Sequence, residues 1–121
     1  MASPLIVSHF RLAYTKIFQQ AGESFTYVPV GTSRSFTIQG VRALLPPASA
    51  GGPAKRITGR IFQVTVLADH FQHLSPSLPQ EGDTLRDESG AAFQVVSAQG
   101  HFRYEFSDPA KIGMKITVME L

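Results

Sequence analysis

Short segments in which apolar and polar residues alternate constrain this chain more than any other feature. In the clearest of them, residues 61–67 (IFQVTVL), Phe62, Val64 and Val66 fall on one face of an extended strand. Comparable segments, bounded mostly by Gly, Pro, Asp or Ser, lie at 25–28, 35–44, 84–86, 92–96, 101–106 and 112–118. In a chain of 121 residues, about seven short strands with frequent turns predict one mainly β domain spanning 1–121, a small barrel or sandwich.

The first segment, residues 3–21, is instead typical of a helix. Ser3 suits the N-cap, Pro4 the first helical position and Gly22 the C-terminal cap. Apolar residues recur at helical spacing on one face and its flanks: Ile6, Phe10, Ala13, Ile17 and Ala21, widened by Leu5, Leu12, Tyr14 and Phe18. We expect this stripe to pack on the sheet. We also expect the helix to contact a partner subunit, through Leu5, His9, Leu12 and Lys16.

Residues 45–56 form the clearest loop, because their prolines and glycines forbid regular structure. The β segments then cover 25–44, with Gly40 marking a β-bulge, and 57–120. A loop of this length inside a compact domain is usually functional or flexible, and this one is basic and carries no acid. We therefore predict an assembly or DNA-channel loop with these candidate residues: Arg42, Pro46, Pro47, Gly51, Gly52, Lys55, Arg56 and Arg60.

Charges are divided unevenly along the sequence. Residues 1–60 hold seven Lys and Arg against one acid, a net charge of +6, whereas residues 61–121 hold four against eight, a net charge of −4. Surfaces of opposite sign suit association with a neighbour, and a basic surface suits nucleic acid. The alternative is that folding mixes the two halves and no charged surface survives.

Residues that could carry out chemistry are few. The chain has no cysteine, which excludes disulfides and thiolate-ligated zinc. Asp69, His70 and His73 are the only cluster of candidate metal ligands. We interpret them as a helical turn capped by Asp69 with two surface histidines, and keep a metal enzyme or hydrolase as a third hypothesis. No G-x-S-x-G elbow or phosphate-binding loop occurs, so we predict no catalytic residue, no metal and no cofactor, and a protein that is not an enzyme.

No run of about 18 apolar residues is present, so no membrane span is predicted. Residues 1–9 lack the basic start and long apolar run of a signal peptide. We therefore expect a soluble protein of intracellular origin with no membrane partner.

One segment raises the alternative of nucleic-acid binding. Phe102, Tyr104 and Phe106 alternate with Arg103, a pattern found where bases stack on aromatic side chains beside cations. Alternating aromatic residues on a strand are more often core residues. The alternative is a small β-barrel module for single-stranded nucleic acid, and the exposure of these three rings discriminates between the two interpretations.

Several segments together carry a resemblance. They are 61–66 (IFQVTV), Asp69, 78–85 (LPQEGDTL) and 90–97 (GAAFQVVS), preceded by the N-terminal helix, 22–27 (GESFTY) and 37–41 (TIQGV) before the long loop. Over about residues 5–106, the chain resembles the head–tail joining proteins of long-tailed bacteriophages, also called head-completion, neck or tail-attachment proteins, and among them the lambda tail-attachment type.

The resemblance implies a small β-barrel or sandwich with a peripheral helix and a disordered loop. It implies a structural protein of the virion neck, made in the bacterial cytoplasm, that forms a ring of copies joining the DNA-filled head to the tail. The implied partners are further copies of itself, a portal or adaptor protein, and a tail-terminator or tail-tube protein, with DNA passing nearby. No catalytic residues accompany this family.

Overall fold

The computed structural model describes residues 4–45, 60–74, 77–98 and 100–121, and the side chains of these residues from Phe10 onward. The described residues form one α-helix, seven β-strands and one 3-10 turn. In chain order these are α1 (Pro4–Ala21), β1 (Glu23–Val28), β2 (Phe36–Leu44), β3 (Ile61–Leu67), the 3-10 turn (Ala68–Phe71), β4 (Thr84–Asp87), β5 (Ala92–Val95), β6 (Tyr104–Phe106) and β7 (Gly113–Glu120). The predicted mainly β fold, with an N-terminal helix and about seven strands, is confirmed.

Six of the strands close into an antiparallel barrel. Their order is β3-β2-β1-β4-β5-β7, and β7 pairs back onto β3 along its length, from Ile61↔Met119 to Leu67↔Gly113. The opposite edge of β7 is shared, with β6 beside its first half and β5 beside its second half. Of the two predicted architectures, the molecule therefore adopts the barrel rather than the sandwich.

Gly40 is the residue at which β2 changes partners. Residues 36–40 pair with β1 and residues 40–44 pair with β3 in an uninterrupted register, so the bulge predicted at Gly40 is wrong. A Cβ atom at this position would lie 2.6 Å from Val64 Cγ1 and 3.1 Å from the carbonyl oxygen of Thr65. Glycine is needed here because β3 approaches closely, as glycine in a strand often indicates.

The core fills the inside of the barrel with alternate residues of the strands, as the period of two requires. The buried cluster consists of Phe25, Tyr27, Ile38, Phe62, Val64, Val66, Phe71, Leu85, Phe93, Val95, Met114, Ile116 and Val118. Because the register of β2 is continuous, the inward side that holds Ile38 and Gly40 next reaches Arg42. A charged residue thus occupies an inward position near one end of the barrel, and this end is the one from which the chain leaves at Leu45.

The helix α1 packs on the barrel through a narrower row than predicted. Phe18 is buried and Phe10 and Tyr14 are half-buried, one helical turn apart, whereas Ala13 and Ala21 are exposed and Ile17 is 46% exposed. The predicted core face through Ala13, Ile17 and Ala21 is therefore wrong, and so is its predicted widening by Leu12, which is 56% exposed. The predicted C-terminal cap is in place, since Gly22 N donates to the carbonyl oxygen of Phe18 at 2.9 Å.

Candidate functional site

The base of the predicted loop is built around Arg42. Its guanidinium group lies over the rings of Phe25, Phe62 and Phe93, at 5.9, 5.7 and 5.2 Å from their centroids. Its Nε donates to Glu23 Oε2 at 3.0 Å, and Nη2 donates to the other oxygen of the same carboxylate. Phenylalanine faces attract cations, and a forked guanidinium matches a carboxylate, so Arg42 closes this end of the barrel with its charge compensated.

Asp87 supplies the second carboxylate at Arg42, 3.3 Å from Nη1. It also accepts hydrogen bonds from the backbone and hydroxyl of Ser89 and from Ala91 N, at 3.0, 2.7 and 2.9 Å. The hydrogen bond from the Ser89 hydroxyl lowers the pKa of Asp87 despite an opposing effect of burial, and Ala91 N and the charge of Arg42 lower it further. This group therefore stays ionised beside the arginine.

Arg60, at the other side of the loop, pairs with Glu120 at the end of β7. Its Nε and Nη2 donate to the two carboxylate oxygens at 3.2 and 2.8 Å, and its Cζ lies 5.4 Å from the Phe62 ring centroid. The hydrogen bond from Arg60 lowers the pKa of Glu120 against the effect of burial. Next to these pairs, Leu45 N donates to the carbonyl oxygen of Ile61 at 2.8 Å. The residues that flank the loop on both sides are thus held in defined positions.

The other predicted loop residues, Pro46, Pro47, Gly51, Gly52, Lys55 and Arg56, lie outside the described residues. The structure therefore places two of the eight candidates, Arg42 and Arg60, and it gives both of them carboxylate partners. Contact of these two arginines with DNA or an acidic neighbour stays a prediction, and it would have to compete with those pairs.

Among the described residues, three ion pairs join the two oppositely charged halves of the sequence. Arg11 pairs with Asp69, Arg42 with Asp87, and Arg60 with Glu120. Each pair links a cation from the first half to an acid from the second. For these three arginines, folding mixes the charges of the two halves, as the alternative interpretation predicts.

The predicted partner-contact face of α1 is exposed where the structure describes it. Leu12 is 56% exposed and Lys16 is also exposed. Leu5 and His9 lie within the helix, but their side chains are outside the described set. Spacings of four, three and four residues place the four positions on one side of the helix, opposite the row that packs on the barrel.

Tyr14 fastens the helix to the barrel. Its hydroxyl lies 2.6 Å from Ser107 Oγ and donates to Asp108 Oδ2 at 2.8 Å. Its ring occupies the space that a side chain at Gly113 would need, since a Cβ there would lie 2.2 Å from Tyr14 Cζ. Asp108 also accepts from Gly113 N and Ile112 N, so this Tyr–Ser–Asp group anchors a turn and a helix.

The Asp69, His70 and His73 cluster differs from its predicted form. Asp69 lies inside the 3-10 turn, whose N-cap is Leu67 with no side-chain cap, so the predicted cap is wrong; its carboxylate pairs instead with Arg11. The ring of His73 packs edge-on against Phe36 with centroids 4.5 Å apart. Burial lowers the pKa of His70, against the opposing charge of Asp69. Across the described ranges, no group of three or more His, Asp or Glu side chains is placed to hold a metal.

The three alternating aromatic residues do not share one environment. Strand β6 covers only Tyr104–Phe106, and Tyr104 and Phe106 pack against the core, whereas Phe102 is 78% exposed. The predicted strand 101–106 with all three rings on one face is therefore wrong. The strand does not extend back to Phe102, because the edge of β7 beyond Ile116 pairs with β5 instead, at Val118–Glu120.

A groove at the opposite end of the barrel was not found from the sequence. It lies between the turn after β1 and the segment before β4, has a volume of about 840 Å³, and includes Val30, Arg34, Phe36 and Leu78 in its lining. The lining residues of its two walls, 29–36 and 73–83, are far apart in sequence. The segment 78–85 (LPQEGDTL) in the second wall gives no signal of a groove.

No known family model matches this chain, and a search of curated proteins finds no significant match. Among the helices that the structure describes, none is both long enough and apolar enough to cross a membrane.

Proposed function

We propose that this chain is a structural protein of the phage virion neck, which forms a ring joining the DNA-filled head to the tail. Its partners in this proposal are further copies of itself, a portal or adaptor protein above, and a tail-terminator or tail-tube protein below. The observation that carries the proposal is the exposed side of α1: Leu12 and Lys16 lie on a well-anchored helix and face away from the barrel.

The closed barrel supports a role in assembly through side-chain surfaces. Backbone pairing from β1 to β5 and through β7 leaves no open edge between these strands, and closure removes edges that would join copies nonspecifically. A helix held by Tyr14 and by the Arg11–Asp69 pair offers a fixed surface to a neighbour. A fixed surface loses little conformational freedom on binding, which favours stable association.

The base of the loop supports the same proposal. Arg42 and Arg60 are each held by a carboxylate, so the chain enters and leaves the loop at defined positions on one end of the barrel. A segment rich in Pro and Gly that starts from fixed points is suited to order against an adjoining ring. The remaining basic residues of that loop, Lys55 and Arg56, would then face the DNA channel or an acidic neighbour.

Two variants test the proposal in an assay in which purified heads and tails join in the presence of this protein. The first replaces residues 46–59 by a short Gly/Ser link, and the second is Leu12→Glu. The matched control for the second is Ile17→Glu, which adds the same charge at another exposed aliphatic residue, roughly 100–140° round the helix from Lys16 and Leu12. We expect both test variants to fold and to lower the yield of joined particles at least tenfold, while the control joins normally. Normal joining by both test variants would refute the proposal.

A second candidate, binding of single-stranded nucleic acid, is favoured by Phe102. Its ring is exposed, and its carbonyl oxygen accepts a hydrogen bond from the hydroxyl of Thr117. The next residue in sequence, Arg103, supplies a cation, and its Nε donates to the carbonyl oxygen of Pro79. A stacking platform usually uses several exposed rings, and here Tyr104 and Phe106 pack against the core. Steep salt-dependent binding of an oligonucleotide that is lost in Phe102→Ala would support this candidate, and no binding at low salt would remove it.

A further inference from the structure

The groove at the end of the barrel opposite Arg42 is lined partly by apolar side chains. Val30 is 55% exposed, and Phe36, Leu74 and Leu78 are partly buried against the core. Its volume of about 840 Å³ falls in the range common for ligand sites.

A buried carboxylate holds the two walls of this groove in place. Asp83 is 1% exposed. One oxygen accepts a hydrogen bond from Val30 N at 2.7 Å, on the wall that follows β1. The other accepts from Gln80 N at 2.8 Å, on the wall that precedes β4, and from the hydroxyl of Tyr27. The groove is thus preformed, which lowers the cost of ordering it when a ligand binds.

The same bonds engage both oxygens of Asp83, and the residue is buried, so its carboxylate is not offered to a ligand. Arg34 is the exposed charged residue of the lining, and among the carboxylates that the structure describes none forms an ion pair with it. An apolar ligand that carries a negative group fits both properties.

We propose that this groove binds a short peptide segment of another protein that combines apolar side chains with a carboxylate. A second copy of this chain fits less well. Its exposed Phe102 is flanked by His101 and Arg103, and its exposed Leu12 lies on a helix without a single acid. Its exposed Leu121 follows Glu120, but both oxygens of that carboxylate are already bonded to Arg60. The groove is distinct from the outer side of α1 and from the loop, so the proposal does not depend on the neck function.

The test uses a fluorescein-labelled octapeptide of alternating Leu and Glu, with an alternating Leu and Lys peptide for comparison, and measures fluorescence anisotropy. We expect saturable binding of the Leu/Glu peptide that weakens as salt is raised. Val30→Ser should weaken it about tenfold through lost apolar contact, and Arg34→Glu about fivefold or more through charge reversal.

Matched controls lie elsewhere on the barrel. Leu44→Ser removes an equally exposed aliphatic side chain, and Arg86→Glu reverses an exposed charge on β4. Both should leave the affinity within about twofold of the original. No saturable binding at millimolar peptide, equal binding of the two peptides, or equal losses in test and control variants would overturn the proposal. Self-association of the chain that Val30→Ser abolishes would also overturn it, because the occupant would then be a second copy.

Discussion

Replacing Arg42 by methionine tests whether the guanidinium group stabilises the end of the barrel from which the loop leaves. Methionine keeps an unbranched stem of similar length against Phe25, Phe62 and Phe93, and removes the charge and every hydrogen bond. We expect Arg42→Met to lower the free energy of unfolding, because Glu23 loses its forked partner and Asp87 loses a neighbouring cation.

The magnitude follows from the contacts. Charge-assisted bonds to the partly exposed Glu23 contribute about 1 kcal/mol. Attraction between the cation and the three rings, at 5.2–5.9 Å, contributes about 1–2 kcal/mol, part of which the sulfur–aromatic contacts of methionine recover. The net loss should be about 2 kcal/mol, and Arg42→Ala should lose about 1–2 kcal/mol more because the packed stem is also removed.

Urea unfolding followed by far-ultraviolet circular dichroism measures these losses, since the chain has no tryptophan. A loss of 2 kcal/mol moves the midpoint by about 1 M urea for a domain of this size. A double-mutant cycle of Arg42→Met with Glu23→Gln should give a coupling energy of about 1 kcal/mol. If Arg42→Met is within about 0.5 kcal/mol of the original protein in stability and shows no coupling to Glu23→Gln, the guanidinium group does not stabilise this end of the barrel.

Four further substitutions have defined outcomes. Gly40→Ala should lower the free energy of unfolding by about 1–3 kcal/mol in urea unfolding, because its Cβ would lie 2.6 Å from Val64 Cγ1; an unchanged midpoint would contradict the close approach of β3. Tyr14→Phe removes two hydrogen bonds and should lower the free energy of unfolding by about 1–2 kcal/mol. Gly113→Ala should displace the Tyr14 ring. Both variants should therefore speed proteolytic cleavage within α1 while the barrel persists, and unchanged cleavage would show that these contacts of Tyr14 do not hold the helix. Burial lowers the pKa of His70 in the folded protein, so as the pH falls the unfolded chain binds a proton at this residue before the folded chain does. Stability should therefore fall as the pH drops below about 6.5 toward the folded pKa. His70→Gln should remove this part of the pH dependence, and an identical pH profile in the variant would contradict it.

Much of the fold could be predicted because its signals are local. Alternation along residues 61–67 and the turn residues that bound each segment fix strand positions without knowledge of the rest of the chain. Closure of the barrel has no such signal. It depends on β7 pairing with β3, whose residues are about fifty positions apart, and a barrel and a sandwich use the same alternation.

The wrong prediction of a bulge at Gly40 has a physical cause. A charged residue at an inward position is rare unless it is paired, so Arg42 two residues later makes a shift in the alternation the expected interpretation. The structure keeps the alternation and compensates Arg42 with two carboxylates, one on β1 and one on β4. The second of these partners, Asp87, comes from a strand distant in sequence, which no local pattern brings to Arg42.

Only one of the candidate surfaces could be predicted from the sequence. The exposed side of α1 follows from helical spacing, which placed Leu12 and Lys16 together. Helical spacing does not predict the row that anchors the helix. Tyr14 packs on the barrel because its hydroxyl contacts Ser107 and its ring fills the space at Gly113, and both residues are distant in sequence. The groove is formed by two segments distant in sequence and is tied together by Asp83, so only the folded chain shows it.

The proposed neck function requires this protein to assemble with other copies and with neck partners. Its mass in solution tests this, measured by light scattering over a range of concentrations, alone and with a phage portal ring or tail-terminator added. We expect a ring, or a monomer that assembles only when such a partner is present. A monomer at every concentration that is indifferent to each of these partners would rule out the neck function.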